Sequence, residues 1–299
     1  MFLSTIIPTI GRTKLHRTVQ SLLDQKVSPD LFEIIVVNDT GQPLPHVDWM
    51  DEPNVQVVTA NRHRQAVARN VGAALAQGKY LHFLDDDDWL APGALQAFFK
   101  AAEQTQADWI YGRAQLCDVS DEELPKIGLD RTGNCAVQIM AGEWIPMGSY
   151  IVSNELFFSA GGFNALAAPG EDIALCRQLA LRADFAAIPE TVVFLDRGDH
   201  SSTDYTLAWE LSRRYRERAL DHTGAFKRLH ASAEDGYWKG RLARIYLTST
   251  VWNIQHRQLA PALSRLSHAL LSSALAGLSL FSRSFWRGLS SVHMSRTIN

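Results

Sequence analysis

The chain has 299 residues, 46% of them hydrophobic and 20% charged, with a formal net charge of −3. This is the make-up of a globular protein with room for one large or two modest domains, and it excludes a disordered, charge-dominated chain. The charge is unevenly placed: all 32 acidic residues lie at or before Asp235 with 21 Lys and Arg (net −11), whereas 236–299 holds 8 Lys and Arg and no carboxylate.

Phe2 to Ile7 predicts a first strand, closed by Pro8-Thr9-Ile10-Gly11-Arg12. The lack of a basic flank and a cleavage site argues against reading this start as a signal peptide. Thr13 then looks like the cap of a helix carrying Leu15, Val19, Leu22 and Leu23. Phe32 to Val37, with its continuous apolar run Ile34-Ile35-Val36-Val37, predicts a strand buried on both faces, ending in Asn38-Asp39-Thr40-Gly41. Asn54 to Thr59 predicts a third strand, and Arg62 to Gln77 a helix stopped by Gly78. Lys79 to Leu84 predicts a fourth strand that runs into Asp85-Asp86-Asp87-Asp88, with a helix start at Pro92. Such alternation predicts a parallel α/β sheet, whose ligands collect beyond the carboxyl ends of the strands.

Thr9, Asp39 and the four aspartates all sit at such ends. Alternate side chains on an extended segment point the same way, so Asp85 and Asp87 converge on one side. Four adjacent carboxylates repel one another, and a hard divalent cation, Mg²⁺ or Mn²⁺, relieves that repulsion. The plainer reading is a solvated acidic turn; the abutting core strand favours the metal. Neither GxGxxG nor GxxxxGK[ST] is present, so no dinucleotide fingerprint or Walker loop explains this rim. Arg62 and Arg64 read as a solvated helix face, and Arg69 as a ligand contact.

The order Pro8-Thr9, Asn38-Asp39, Ala68-Arg69-Asn70, Leu84-Asp85-Asp86-Asp87-Asp88 resembles the family-2 glycosyltransferases of GT-A fold, over about the first 205 residues. The resemblance implies an α/β fold with a mixed, mainly parallel sheet flanked by helices, and a nucleotide-sugar donor, with UDP-sugar the likeness's first choice. It implies contacts to the base for Thr9 and Asp39, to the base or diphosphate for Arg69, and to ribose and a metal-bound diphosphate for Asp85 and Asp87. The sequence departs from the family pattern at Ile10-Gly11 and at His63, where a glycine is common.

Asp108 to Leu116 predicts a further strand, and Asp118 to Met140 an irregular stretch flanking the acceptor. After a strand at Gly148 to Val152, Gly161-Gly162-Phe163 leads to Glu171-Asp172, an acidic helix start that the helix dipole alone explains. The resemblance makes Asp172 the catalytic base and gives Glu171 a part in orienting the acceptor. After a last strand at Val192 to Asp196, it places Arg197 and His200 over the diphosphate, with His200 as an extra metal or phosphate ligand.

From Tyr205 the pattern turns helical, so the chain divides into a catalytic domain (1–205) and a helical, basic C-terminal region (206–299). Leu259, Leu263, Leu266, Leu270, Ala274, Leu278, Phe281, Phe285, Leu289 and Val292 predict an apolar stripe, with Arg265, Ser272, Ser279, Arg283 and Arg287 opposite. An acid-free, Arg-containing amphipathic helix suits an anionic membrane surface, while packing on the catalytic domain or in an oligomer is the alternative. The stripe is too continuous for a nucleic-acid partner. No run of 18 apolar residues predicts a spanning helix. Cys117, Cys135 and Cys176 are widely spaced and odd in number, which predicts no disulfide framework or zinc site and a cytoplasmic home. The expectation is an inverting, metal-dependent transferase acting on a glycan or lipid-linked acceptor, peripheral on the cytoplasmic face of the membrane. A nucleotidyltransferase and a non-catalytic nucleotide-binding scaffold are the rivals.

Overall fold

A computed structural model describes residues 1–117, 123–127, 129, 131–167, 169–196 and 205–291. The first half is built from β1 (Leu3–Thr9), α1 (Leu15–Leu23), β2 (Phe32–Asn38), β3 (Val55–Thr59), α2 (Gln65–Leu75) and β4 (Tyr80–Phe83). β1 pairs in parallel with both β2 and β4, and β2 with β3. Every residue of β1, β2 and β4 is buried, which suits the apolar run Ile34 to Val37, and the buried polar pair Ser4 and Glu33 is joined by a hydrogen bond (2.6 Å).

The second half adds β5 (Trp89–Leu90), α3 (Ala94–Thr105), β6 (Trp109–Cys117), β7 (Glu123–Ile127), α4 (Ala136–Ala141), β8 (Tyr150–Ser153), α5 (Asn154–Ser159), α6 (Glu171–Ala180) and β9 (Phe185–Asp196). One mixed sheet results, in the order β3-β2-β1-β4-β8-β6-β9-β5, with β7 on β6. β8 runs antiparallel between β4 and β6, which ends the parallel half of the sheet. Side chains alternate across the sheet. Leu3, Ile7, Ile34 and Val36 pack with Leu15, Val19, Leu95 and Phe98 on one face. Ile6, Ile35, Val37 and Phe83 pack with Ala68, Phe157 and Leu175 on the other.

Two local expectations are corrected. Asp118 to Met140 is not irregular throughout, since it holds β7 and α4, and Val137, Ile139 and Met140 are drawn into the core by their apolar side chains. The helix expected at Pro92 begins at Ala94, because Gly93 turns left-handed (φ 82°) ahead of it.

Five more helices complete the chain: α7 (Tyr205–Leu220), α8 (Ala225–Ser232), α9 (Gly236–Gln255), α10 (Leu259–Leu275) and α11 (Arg283–Ser290). Leu220, Leu229, Leu242 and Tyr246 share one apolar cluster with Ile6 and Phe83, so these helices extend the main core. Arg177 ties α6 to α7, donating to the Ser212 carbonyl (2.6 Å) and Oγ (3.0 Å). α9 and α11 approach so closely that a Cβ on Gly240 would lie 2.1 Å from the Phe285 carbonyl oxygen.

On α10 the C-terminal stripe is oriented otherwise than its pattern predicts, whereas on α11 Phe285 is buried and Arg283 and Arg287 are exposed as expected. Arg265 and Ser272, expected toward solvent, are buried with Ala262 and Ala269, while Leu259, Leu263, Leu266 and Leu270 are exposed. Small residues on the buried face let α10 lie close to α9, and Arg265 meets the buried carboxylate of Glu217 at 3.4 Å and also pairs with Asp221. Among the described residues no helix is long and apolar enough to cross a membrane.

Candidate active site

The carboxyl ends of β1, β2 and β4 converge with the N-termini of α2 and α6. At the end of β1, Thr9 donates to Asp86 Oδ2 (2.6 Å) and accepts the Gly11 N–H (2.9 Å). The turn then presents Arg12, which donates to Asp86 Oδ1 (3.1 Å) and pairs with Asp87. Arg12 had no assigned role in the sequence; four carboxylates with only a bound cation to balance them were the missed signal.

Exposure alternates along the acidic run, but the run is a turn closed by the Asp88 N–H on the Asp85 carbonyl (3.2 Å) and not the extended segment expected. Asp86 and Asp88 turn inward and are buried, while the side chains of Asp85 and Asp87 are 26% and 31% exposed on the rim. Asp88 accepts the Asp196 N–H (2.9 Å), joining the run to the end of β9. Burial first, then the neighbouring Asp85 charge, pushes the Asp87 carboxyl up to about 6. Asp88 is raised well above the ordinary range, by burial and then by Asp85 and Asp87. Among the described residues no three His, Cys, Asp or Glu side chains converge as a metal-holding group.

Asp39 follows β2. It is buried, and its two oxygens accept the N–H groups of Arg62 (2.6 Å) and Arg64 (2.7 Å). His63 between them (φ 50°) and Asn61 just before them (φ 51°) take left-handed conformations, uncommon for residues with a side chain. The departure from glycine at His63 thus falls where a glycine would adopt the backbone at lowest cost, and Asp39 holds the loop in that shape.

Arg69 is the junction of the site. Buried on α2, it donates to Asp85 Oδ1 (2.6 Å) and to Glu171 Oε1 (3.0 Å). Its described partners are two protein carboxylates from opposite sides of the site. Gln65 adds a second donor to Asp85 Oδ1 (2.9 Å). Asn70, next to Arg69, donates to the Phe163 carbonyl (2.7 Å) and accepts its N–H (2.9 Å), so the Ala68-Arg69-Asn70 element grips the Gly161-Gly162-Phe163 turn. Asn70 and Gln65 also went unassigned in the sequence, because their partners lie far along the chain.

That turn leads to α6, which Gly170 opens in a left-handed conformation (φ 110°). Glu171 accepts from Arg69 and from the Gly170 N–H (3.2 Å), while Asp172 Oδ1 accepts the Ile173 N–H (2.7 Å). Burial, then the charge on Glu171, raises the Asp172 carboxyl above the ordinary range. Thr9, Asp39, Arg69, Asp85, Asp87, Glu171 and Asp172 therefore border one rim. Arg197 and His200 lie outside the described residues.

Residues 4–151, which carry most of this rim, match glycosyl transferase family 2. The chain carries a family-2 glycosyltransferase domain. It is similar to the poly(ribitol-phosphate) beta-N-acetylglucosaminyltransferase TarP of Staphylococcus aureus, at 30% identity over 116 residues, 37% of this chain and 36% of TarP. A poly(ribitol-phosphate) beta-glucosyltransferase of Bacillus spizizenii is 28% identical over 42% of this chain and 21% of its own. These matches thus span well under half of either relative. Among solved structures, S. aureus TarS in complex with UDP-GlcNAc superposes with a TM-score of 0.62 at 14% identity, covering 93% of this chain and 92% of that one. TarS in complex with UDP gives a TM-score of 0.63 at 16% identity, with the same coverage. At such identities the likeness concerns the fold, and it spans 93% of this chain.

Proposed function

We propose that this chain is an inverting, metal-dependent glycosyltransferase moving a sugar from a UDP-sugar to a hydroxyl of a glycan or lipid-linked acceptor. The setting would be cell-surface polysaccharide or glycolipid synthesis, on the cytoplasmic face of a membrane. The observation that carries the reading is the Asp85–Arg69–Glu171 bridge, which fixes the start of α6, and so Asp172, beside the acidic rim. UDP is supported by the TarS complexes named above. A polymeric acceptor is supported by the relatives named for poly(ribitol-phosphate).

In this reading Asp172 takes the proton of the acceptor hydroxyl while that oxygen bonds to the anomeric carbon. The bond from that carbon to the diphosphate breaks on the opposite face, and UDP leaves with the electron pair. A carboxylate raised above the ordinary range by burial is a stronger base than a surface aspartate. Thr9 and Asp39 shape the base end of the donor site, Arg69 and Asp85 the ribose and diphosphate end, and Glu171 orients the acceptor.

The rim also suits Mn²⁺ or Mg²⁺. Asp87 and Asp85 present hard oxygen donors at the rim, and burial, then crowding by Asp85, already raises Asp87. Two carboxylates completed by donor phosphates and water are a common holding set for such ions. Bound there, the ion supplies positive charge against the charge that grows on the leaving diphosphate. Arg197 and His200 are kept as candidates for the diphosphate and a third ligand.

The test is UDP release from a panel of nucleotide sugars, with Mn²⁺ or with EDTA, for the wild type, Asp87→Ala and Asp172→Asn. Metal-dependent release from one donor, lost in Asp87→Ala, is expected. Asp172→Asn should keep donor binding and lose transfer. No release anywhere, joined to no metal-dependent donor binding by calorimetry, would sink the reading.

A further inference from the structure

A helix packed on a globular body ordinarily buries its large apolar side chains and shows its polar ones. α10 does the reverse. Its buried face is Ala262, Arg265, Ala269 and Ser272, whereas Leu259 is 70% exposed, Leu263 67% and Leu270 64%. The ridge continues past the helix through Leu278 and Phe281, 88% and 87% exposed. Leu247, Val251 and Ile254, spaced by four and three on α9, are exposed as well.

The one formal charge on α10, Arg265, is turned inward onto Glu217 and Asp221. The outward surface of this 17-residue helix therefore carries leucines, small residues and no charged group. An apolar surface of this extent marks a contact site.

Charge decides what fits it. The segment 236–299 has no carboxylate to offer a partner. Arg257 follows α9 directly, and Arg283 and Arg287 lie on α11; all three are exposed. Trp286, 58% exposed, stands among the latter two with its indole N–H donated to the Leu280 carbonyl. Two copies meeting through this face would bring the arginines of one against those of the other, and 236–299 supplies no acidic side chain to balance them. An anionic lipid surface offers hydrocarbon for the leucines and headgroup charge for the arginines, and it suits an exposed Trp at the boundary.

We propose that the α9–α10–α11 face docks on an anionic bilayer, with α10 lying in the plane of the headgroups. The ion pairs of Arg265 keep the helix on the protein body, so it binds as a surface and does not insert across the membrane. This rests on the membrane setting in the proposed function and names the surface that provides it.

The experiment is flotation of the full chain with vesicles of equal parts phosphatidylcholine and phosphatidylglycerol, and with phosphatidylcholine alone. The comparison protein is Leu263→Ser/Leu270→Ser/Leu278→Ser, changed only at exposed positions. Wild type should float with the mixed vesicles, and the triple variant about tenfold less or worse. Arg283→Gln/Arg287→Gln should weaken flotation on the mixed vesicles selectively, as should raised salt. UDP release measured without vesicles should be unchanged in both variants, which separates docking from the transferase reading. Wild type that fails to float, or a triple variant that floats equally, overturns the proposal. So does a dimer of the wild type, dispersed by the triple variant, without flotation; that result gives the face to a second copy.

Discussion

Asn70 and Phe163 are locked to each other by two reciprocal hydrogen bonds, of 2.7 and 2.9 Å, across 93 residues of sequence. This pair attaches the turn leading to Asp172 to the helix that carries Arg69. Asn70→Ala leaves both main-chain groups of Phe163 without these partners, at about 1–3 kcal/mol of stability. Turnover should suffer more than donor binding, because the turn sets the base and not the nucleotide. We expect kcat to fall by roughly tenfold to a hundredfold. Equal losses in kcat and donor affinity, measured by steady-state kinetics and calorimetry, would count against a positioning role.

Arg69 stands between two carboxylates in a buried position. Arg69→Gln removes the charge that compensates Asp85 and Glu171, and breaking a buried pair costs about 3–5 kcal/mol. Arg69→Lys keeps a charge but has one nitrogen to set against acceptors on two elements, so it should recover only part of the loss. Denaturant unfolding of the three proteins checks this. A fully stable Arg69→Gln protein would show that the bridge is dispensable to the fold.

The continuous run Ile34 to Val37 in β2, together with the alternation of strands and helices, made the parallel half of the sheet legible, since a strand buried on both faces suits such a run. The acidic run was legible as a rim feature, but not its shape: Asp85 to Asp88 form a turn in which Asp85 meets Arg69 and Asp87 meets Arg12. The antiparallel insertion of β8 was not legible, because its sequence, Tyr150–Ser153, carries no mark of direction. Nor was the Arg69 bridge, whose partners lie 16 and 102 residues away on different elements. The orientation of α10 misled for a physical reason. Periodicity locates an apolar stripe, but the stripe need not be the buried face when small residues opposite it allow closer packing.

Arg12 already acts as a cation toward the rim, donating to Asp86 and pairing with Asp87. A divalent ion reaching Asp87 must share or displace that contact. Arg12→Gln should therefore bind Mn²⁺ more tightly than wild type without donor, by roughly tenfold, corresponding to about one pKa unit of interaction. Titration calorimetry with Mn²⁺ alone reads this directly. Weaker Mn²⁺ binding in Arg12→Gln would mean that Arg12 shapes the ion site and does not compete for it.

Asp87 ties stability to function through its proton. In the folded protein its carboxyl is raised from 3.8 to about 6. Between those values the folded chain holds a proton that the unfolded chain has released, so this group's contribution to stability falls as pH rises through the window. Above about pH 6 the native state carries an ionised carboxylate crowded by Asp85 and Asp86, opposed by Arg12. Asp87→Asn removes that burden. It should be more stable than wild type near pH 8, on the order of 1 kcal/mol once screening at this partly exposed site is allowed for. The advantage should shrink toward pH 4, where wild type is protonated as well. Metal-dependent turnover in wild type should decline as pH falls through about 6, and Asp87→Asn should lack it at every pH. Thermal melts and UDP release across pH 4 to 8 test both halves together. A variant less stable than wild type at pH 8 would show that the ion pair with Arg12 outweighs the repulsion within the acidic run.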